Sequence, residues 1–165
     1  VAAPLLFVSP GQVNVQLPWE ISPGTATITV SVQGVASNSI SANVGSVSPG
    51  VFVAVHADGS PITASNPASA GEVIVVYATG LGAVTGSPVT GQGAPSDPPA
   101  TTLEPATVTI GNVPAGVEFS GLTPGFVGLY QVNVRLAGGT PADSRTSLVL
   151  SIGGQTAPPY FLATR

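Results

Sequence analysis

Gln131-Val132-Asn133-Val134-Arg135-Leu136 repeats Gln12-Val13-Asn14-Val15-Gln16-Leu17 almost residue for residue. Both strings alternate apolar and polar side chains with a period of two, the signature of a strand that buries one face. Thr25-Ala26-Thr27-Ile28-Thr29-Val30-Ser31-Val32 follows the same rule. Ile28, Val30 and Val32 fall on one face, Thr27, Thr29 and Ser31 on the other, which predicts a half-buried strand. Ala106–Ile110 alternates likewise, whereas Glu72-Val73-Ile74-Val75-Val76-Tyr77 is almost continuously apolar, as a central strand covered on both sides would be.

The match extends beyond the two strings. Upstream, Phe7-Val8-Ser9-Pro10-Gly11 parallels Gly121-Leu122-Thr123-Pro124-Gly125; downstream, Val30-Ser31-Val32-Gln33-Gly34 parallels Leu150-Ser151-Ile152-Gly153-Gly154. The chain therefore reads as two copies of one β-module. Residues from about Val51 to Val117 precede the second motif and only a few precede the first, so the first module is expected to lack its opening strands. The boundary falls at the turn Ser46-Val47-Ser48-Pro49-Gly50, giving a partial β-sandwich over 1–48 and a complete one over 49–165. So short a connection predicts a fairly rigid pair. Ser87–Thr102, rich in Pro, Gly, Ser and Thr, is expected to be a flexible surface loop.

Composition narrows the possibilities. Gly 21 and Pro 17 in 165 residues put turn formers at about twice their usual share, which excludes a mainly helical protein. With 43% hydrophobic residues and a mean hydropathy of +0.46 the chain has ample material for a core. A net charge of −4 leaves no basic stripe for nucleic acid, and no apolar run is long enough to span a membrane. Cys 0 rules out disulfides and thiol chemistry; the only side-chain cations besides His56 are Arg135, Arg145 and Arg165, which removes Schiff-base catalysis and any lysine crosslink. A charged content of 6% with abundant Ser and Thr points to an extracellular or cell-surface protein. No targeting signal precedes Val1, as expected of a processed product or a fragment, and no Asn-x-Ser/Thr acceptor is present.

Three long strings carry a family resemblance: Leu6-Phe7-Val8-Ser9-Pro10-Gly11-Gln12-Val13-Asn14-Val15-Gln16-Leu17-Pro18-Trp19-Glu20, Val75-Val76-Tyr77-Ala78-Thr79-Gly80-Leu81-Gly82, and Phe119-Ser120-Gly121-Leu122-Thr123-Pro124-Gly125-Phe126-Val127-Gly128-Leu129-Tyr130-Gln131-Val132-Asn133. The chain resembles the C-terminal β-domain of large surface and secreted proteins of Solibacter-type acidobacteria. The resemblance implies tandem immunoglobulin-like β-sandwich modules, extracellular placement and no catalytic residues to carry over. Family members usually show further strands before the Phe7 motif.

Candidate chemistry is sparse. Gly80-Leu81-Gly82-Ala83-Val84-Thr85-Gly86 follows an apolar strand, but its third glycine is one residue late for a dinucleotide loop and Pro88 stands where a helix should begin. No cofactor is expected. His56 lies near Asp58, yet one histidine without a second nitrogen ligand or cysteine makes no ordinary zinc site, and Asp58-Gly59 is first a turn signal. No Gly-x-Ser-x-Gly elbow occurs, and the seven acids are scattered, so the reading is non-enzymatic. Trp19, Tyr77, Tyr130, Tyr160 and Phe161 could stack on sugars or pack in a core; Trp19, after Pro18 at a strand end, is the candidate surface contact.

A module short of strands leaves backbone groups unpaired and an apolar face open, which invites β-strand addition. The expectation is an extracellular structural subunit that polymerises head to tail with copies of itself by strand complementation. Val1, Leu5, Leu6, Phe7, Val8, Val13, Val15 and Leu17, with Tyr160, Phe161 and Leu162 near the C-terminus, are the candidate interface. The alternative is an accessory module of a larger surface protein, either a spacer or an adhesion module whose partner is cell-surface carbohydrate.

Overall fold

Fourteen strands carry the chain, and the computed structural model describes all of it, Val1–Arg165. The first six are β1 (Leu5–Ser9), β2 (Gln12–Val15), β3 (Gly24–Ile28), β4 (Ser31–Val32), β5 (Val35–Ala36) and β6 (Ile40–Val44). The remaining eight are β7 (Gly50–His56), β8 (Val73–Thr79), β9 (Thr107–Ile110), β10 (Val113–Leu122), β11 (Tyr130–Arg135), β12 (Thr146–Ile152), β13 (Gln155–Thr156) and β14 (Tyr160–Leu162). The fold is all-β and every strand-to-strand ladder is antiparallel.

Strands β7 to β14 share one sheet, ordered β13-β12-β9-β10-β11-β8-β7 with β14 also on β12, curled strongly into a half-barrel. The bend sits in β10. Val113–Ala115 pair with β9 and Gly116–Leu122 with β11, and the register slips between Val117 and Phe119, a bulge of the kind that turns a strand from one layer to another. Alternate residues then converge on one core: Ile74, Val76 and Ala78 from β8, Val132 and Val134 from β11, Leu148, Leu150 and Ile152 from β12, Val108 and Ile110 from β9. Each buried valine, leucine or isoleucine among them contributes roughly 1.5–3 kcal/mol by leaving water. On β8 the outward face, Val73, Val75 and Tyr77, is only half-buried, so one side of that central strand is fully covered and the other partly. Tyr130 sits in this core with its hydroxyl donating to the Gly82 carbonyl, and burial pushes its pKa up to about 12.

The Ser87–Thr102 segment is not free, as its composition suggested. Thr101 bridges to Gly121, Ala94 to Pro124 and Thr102 to Val84, while Ala94 and Ala100 are buried. Small alanines let an irregular backbone sink into the core where its polar groups find partners: Ala94 N–H donates to Phe126 O at 3.0 Å, and Ala100 O accepts from Leu122 N–H at 2.8 Å.

The first six strands form three separate two-stranded sheets, β1-β2, β3-β6 and β4-β5. Their registers duplicate those of the second copy. Ile28 faces Ile40 as Leu148 faces Tyr160, and Val32 faces Val35 as Ile152 faces Gln155, in each case with residues 120 apart (28 and 148, 32 and 152). The turns between the last pairs, Gln33-Gly34 (φ 51 and 82) and Gly153-Gly154 (φ 55 and 75), share the left-handed conformation of a tight hairpin. In the first hairpin, Phe7 faces Asn14 as Phe119 faces Asn133, with the same bulge between Leu5 and Phe7 as between Val117 and Phe119. Gln12 Nε2 donates to Asn14 Oδ1 (2.7 Å) as Gln131 Nε2 does to Asn133 Oδ1 (2.8 Å). These registers correct the sequence alignment upstream of the repeat. Phe7 is the twin of Phe119, not Gly121, because the first hairpin closes at Pro10-Gly11 whereas the second needs the longer connection Thr123–Leu129.

Candidate functional site

Twin residues meet opposite environments. Val13 and Val15 are 41% and 48% exposed where Val132 and Val134 are 0%; Val32 is 67% exposed where Ile152 is 2%. In the second copy β8 covers the outer edge of β11, and β9 fills the gap between β10 and β12. In the first copy no strand occupies either place, so β2 has a free edge and β1 and β3 belong to unconnected sheets. The alternation in residues 25–32 therefore gives a strand exposed on both faces, and it breaks at Thr29 and Val30. Their twins, Val149 and Leu150, keep β12 continuous by pairing with Thr109 and Val108.

Of the expected interface residues, Val1, Leu5, Leu6, Phe7, Val8, Val13, Val15 and Leu17 all stand exposed, and the structure gathers all but Val1 on or beside the β1-β2 hairpin. The C-terminal group is split. Leu162 is buried, Tyr160 packs on the core from β14, and Phe161 is exposed beneath the Arg145 guanidinium, 4.4 Å from its ring centre. That end is anchored: Thr164 exchanges backbone hydrogen bonds with Asp143, and Arg165 N–H donates to Ala68 O. Sequence reading missed Ile28, Val30, Val32, Val35 and Ile40, equally exposed apolar positions. Their alternation is that of a covered strand, and only the absence of a covering strand in the structure leaves them bare.

Where the two copies meet, Gln16 is buried and accepts the Gly91 N–H on Oε1 at 2.7 Å. The Trp19 N–H donates to Thr90 Oγ1 (3.0 Å), and that hydroxyl donates to Glu20 Oε2 (2.8 Å). Trp19 itself is half-buried and packs on the core of the second copy, so the expected free aromatic contact is instead part of the joint. Across the connection Ser48 N–H donates to Gly80 O at 2.8 Å, and Val47 seats against Gly82 and Gly153.

The principal ionisable cluster is His56, Glu72 and Asp58. His56 Nδ1 bonds Glu72 Oε1 and its Nε2–H donates to the Asn66 carbonyl at 3.1 Å; Glu72 Oε2 accepts the Ser69 N–H at 2.8 Å. The hydrogen bond to Glu72 raises the His56 pKa above its usual value. Hydrogen bonds from Ser60 lower that of Asp58. With both ring nitrogens spent on fixed acceptors, the imidazole ties the Asn66 loop to β7 and the residue before β8. One shallow groove of about 390 Å³ lies beside Glu104 and Glu118, and another depression of about 410 Å³ lies beside Val47 and Glu104. No group of three or more His, Cys, Asp or Glu residues converges to hold a metal. Compared with protein-family models, curated proteins and solved structures, the chain matches none.

Proposed function

We propose that the chain is a non-catalytic structural module of an extracellular or cell-surface protein: an immunoglobulin-like β unit preceded by part of another, with the partial copy completed by strands from outside residues 1–165. The observation that carries this reading is the contrast between twins, apolar residues exposed in the first copy and buried at the same register in the second. Every strand of the second copy is engaged, β8 between β11 and β7, β9 between β10 and β12. The second copy therefore has no idle strand to lend to a neighbouring molecule without opening its own core, which favours a spacer in a series of modules over a fibre completed by that copy. The low charge, the Ser/Thr-rich surface and the resemblance to Solibacter-type surface domains support the extracellular setting.

Light scattering and negative-stain microscopy on the 165-residue chain test this. The expected result is a monomer at low concentration with weak, irregular association as concentration rises. Regular fibres would overturn it in favour of the second reading, a head-to-tail filament. One observation favours that alternative: β7 ends the large sheet, and its Phe52 is 62% exposed, so each molecule offers an edge at one end and an open hairpin at the other.

A further inference from the structure

We infer that the first copy is built to receive one strand of the β9 kind, alternating threonine with valine or isoleucine, seated between Val1–Ala3 and Ile28–Ser31. The inference rests on the module reading above and names the partner that reading requires.

In the second copy β9 is the strand that touches both ladders. Val108, Thr109 and Ile110 face Ala115, Pro114 and Val113 of β10 on one side. On the other, Thr107 to Ile110 face Ser151 to Leu148 of β12. Without that strand the sheet would fall into separate hairpins, the condition of the first copy. The shared bulge aligns Leu5 with Val117, so Val1, Ala2 and Ala3 are the twins of Val113, Pro114 and Ala115. Ile28 to Ser31 are the twins of Leu148 to Ser151. The slot walls are therefore named residues in known register, and the break at Thr29-Val30 lies within one wall.

Its chemistry selects the occupant. Val108 and Ile110 are buried at 2% and 0%, while Thr107 and Thr109, alternating with them, lie on the less buried face, so the arriving strand must present β-branched apolar groups inward and no charge. The twins awaiting them, Ile28 and Val30, are apolar and 45% and 48% exposed. A two-residue turn suffices for delivery, because Gly111-Asn112 (φ 60 and 64) joins β9 to β10 in the second copy.

The test extends the full chain before Val1 with a second copy of residues 105–112, Pro-Ala-Thr-Val-Thr-Ile-Gly-Asn. A control extension carries Val108→Asp and Ile110→Asp in the added copy. Amide hydrogen exchange at residues 28–31 is followed by NMR, with Val132 and Val134 as internal markers that the second copy is folded. The expected result is at least ~100-fold slower exchange at residues 28–31 with the native extension and none with the control. A synthetic peptide of residues 105–112 added to the unextended chain should shift the Ala2 and Thr29 resonances. Unchanged exchange together with an inert peptide, equal slowing by the control, or slow exchange already in the unextended chain would each overturn the inference. Its failure and that of the module reading are distinguishable. Fibres from the unextended chain with slowing on extension would leave the strand assignment standing and remove the monomeric module. A monomer without slowing would do the reverse.

Discussion

Leu148 and Ile28 hold the same place in two copies of one ladder, Leu148 opposite Tyr160 and Ile28 opposite Ile40, yet Leu148 is 0% exposed and Ile28 45%. Local alternation sets the face on which each side chain lies. Burial depends on what else arrives at that face, and in the second copy it is β9 and the core behind it.

Alanine at these twins should give opposite outcomes. Leu148→Ala removes a fully buried side chain and is expected to cost about 2–5 kcal/mol in urea unfolding. Ile28→Ala, in the same ladder, should stay within about 0.5 kcal/mol.

Much of the secondary structure was legible in the sequence. Period-two alternation located β2, β9 and β11, and the apolar run located β8. The turn residues Ser46–Pro49 connect β6 to β7. The upstream register was not legible, because loops of different length separate Phe7 from Gln12 and Phe119 from Gln131, so a shared Pro-Gly misaligned the strands before it. Nor was the anchoring of Ser87–Thr102, which depends on carbonyls and amides of β10 and the turn after it. At the candidate site the exposure of the apolar hairpin residues from Leu5 to Leu17 followed from the expectation that the first module lacks strands. Ile28, Val30 and Ile40 were not, because alternation alone is the same for a covered strand and a bare one.

Gly80 carries φ +70, and a Cβ there would lie 1.9 Å from the Ser48 carbonyl oxygen. Gly80→Ala must both strain its backbone and displace the connection, so a loss of about 2–4 kcal/mol is expected in urea unfolding. Gly59→Ala, at φ +83 with nothing near its Cβ, should cost only about 1 kcal/mol. Equal losses would refute a special role for the Ser48 contact.

Gln16→Ala leaves the Gly91 N–H without its 2.7 Å acceptor at a part-buried site. The joint is expected to weaken by about 1–3 kcal/mol. The readout is faster proteolysis within residues 45–49 with the urea midpoint of the second copy unchanged.

The His56–Glu72 pair makes stability fall with pH. The histidine pKa is raised in the folded protein, so protonation favours folding; the stabilisation is complete below the unfolded value of about 6.5 and is lost as pH rises through the higher folded pKa. An effect of about 1 kcal/mol or less is expected as pH rises from below about 6.5 through the raised folded value. Urea midpoints for the parent and His56→Gln should differ in slope over that window, and parallel curves would remove the ion pair as the cause.

The Ser48–Gly80 contact fixes more than one bond. Together with Val47 wedged between Gly82 and Gly153 and Gln16 bonded to Gly91, it holds residues 1–48 in one placement against the rest of the chain. A series of modules joined in one such constant placement would advance along a single screw axis with constant pitch. Its outline, straight rod or wide coil, would then be a property of a few glycines at the joint, Gly80 and Gly82 among them.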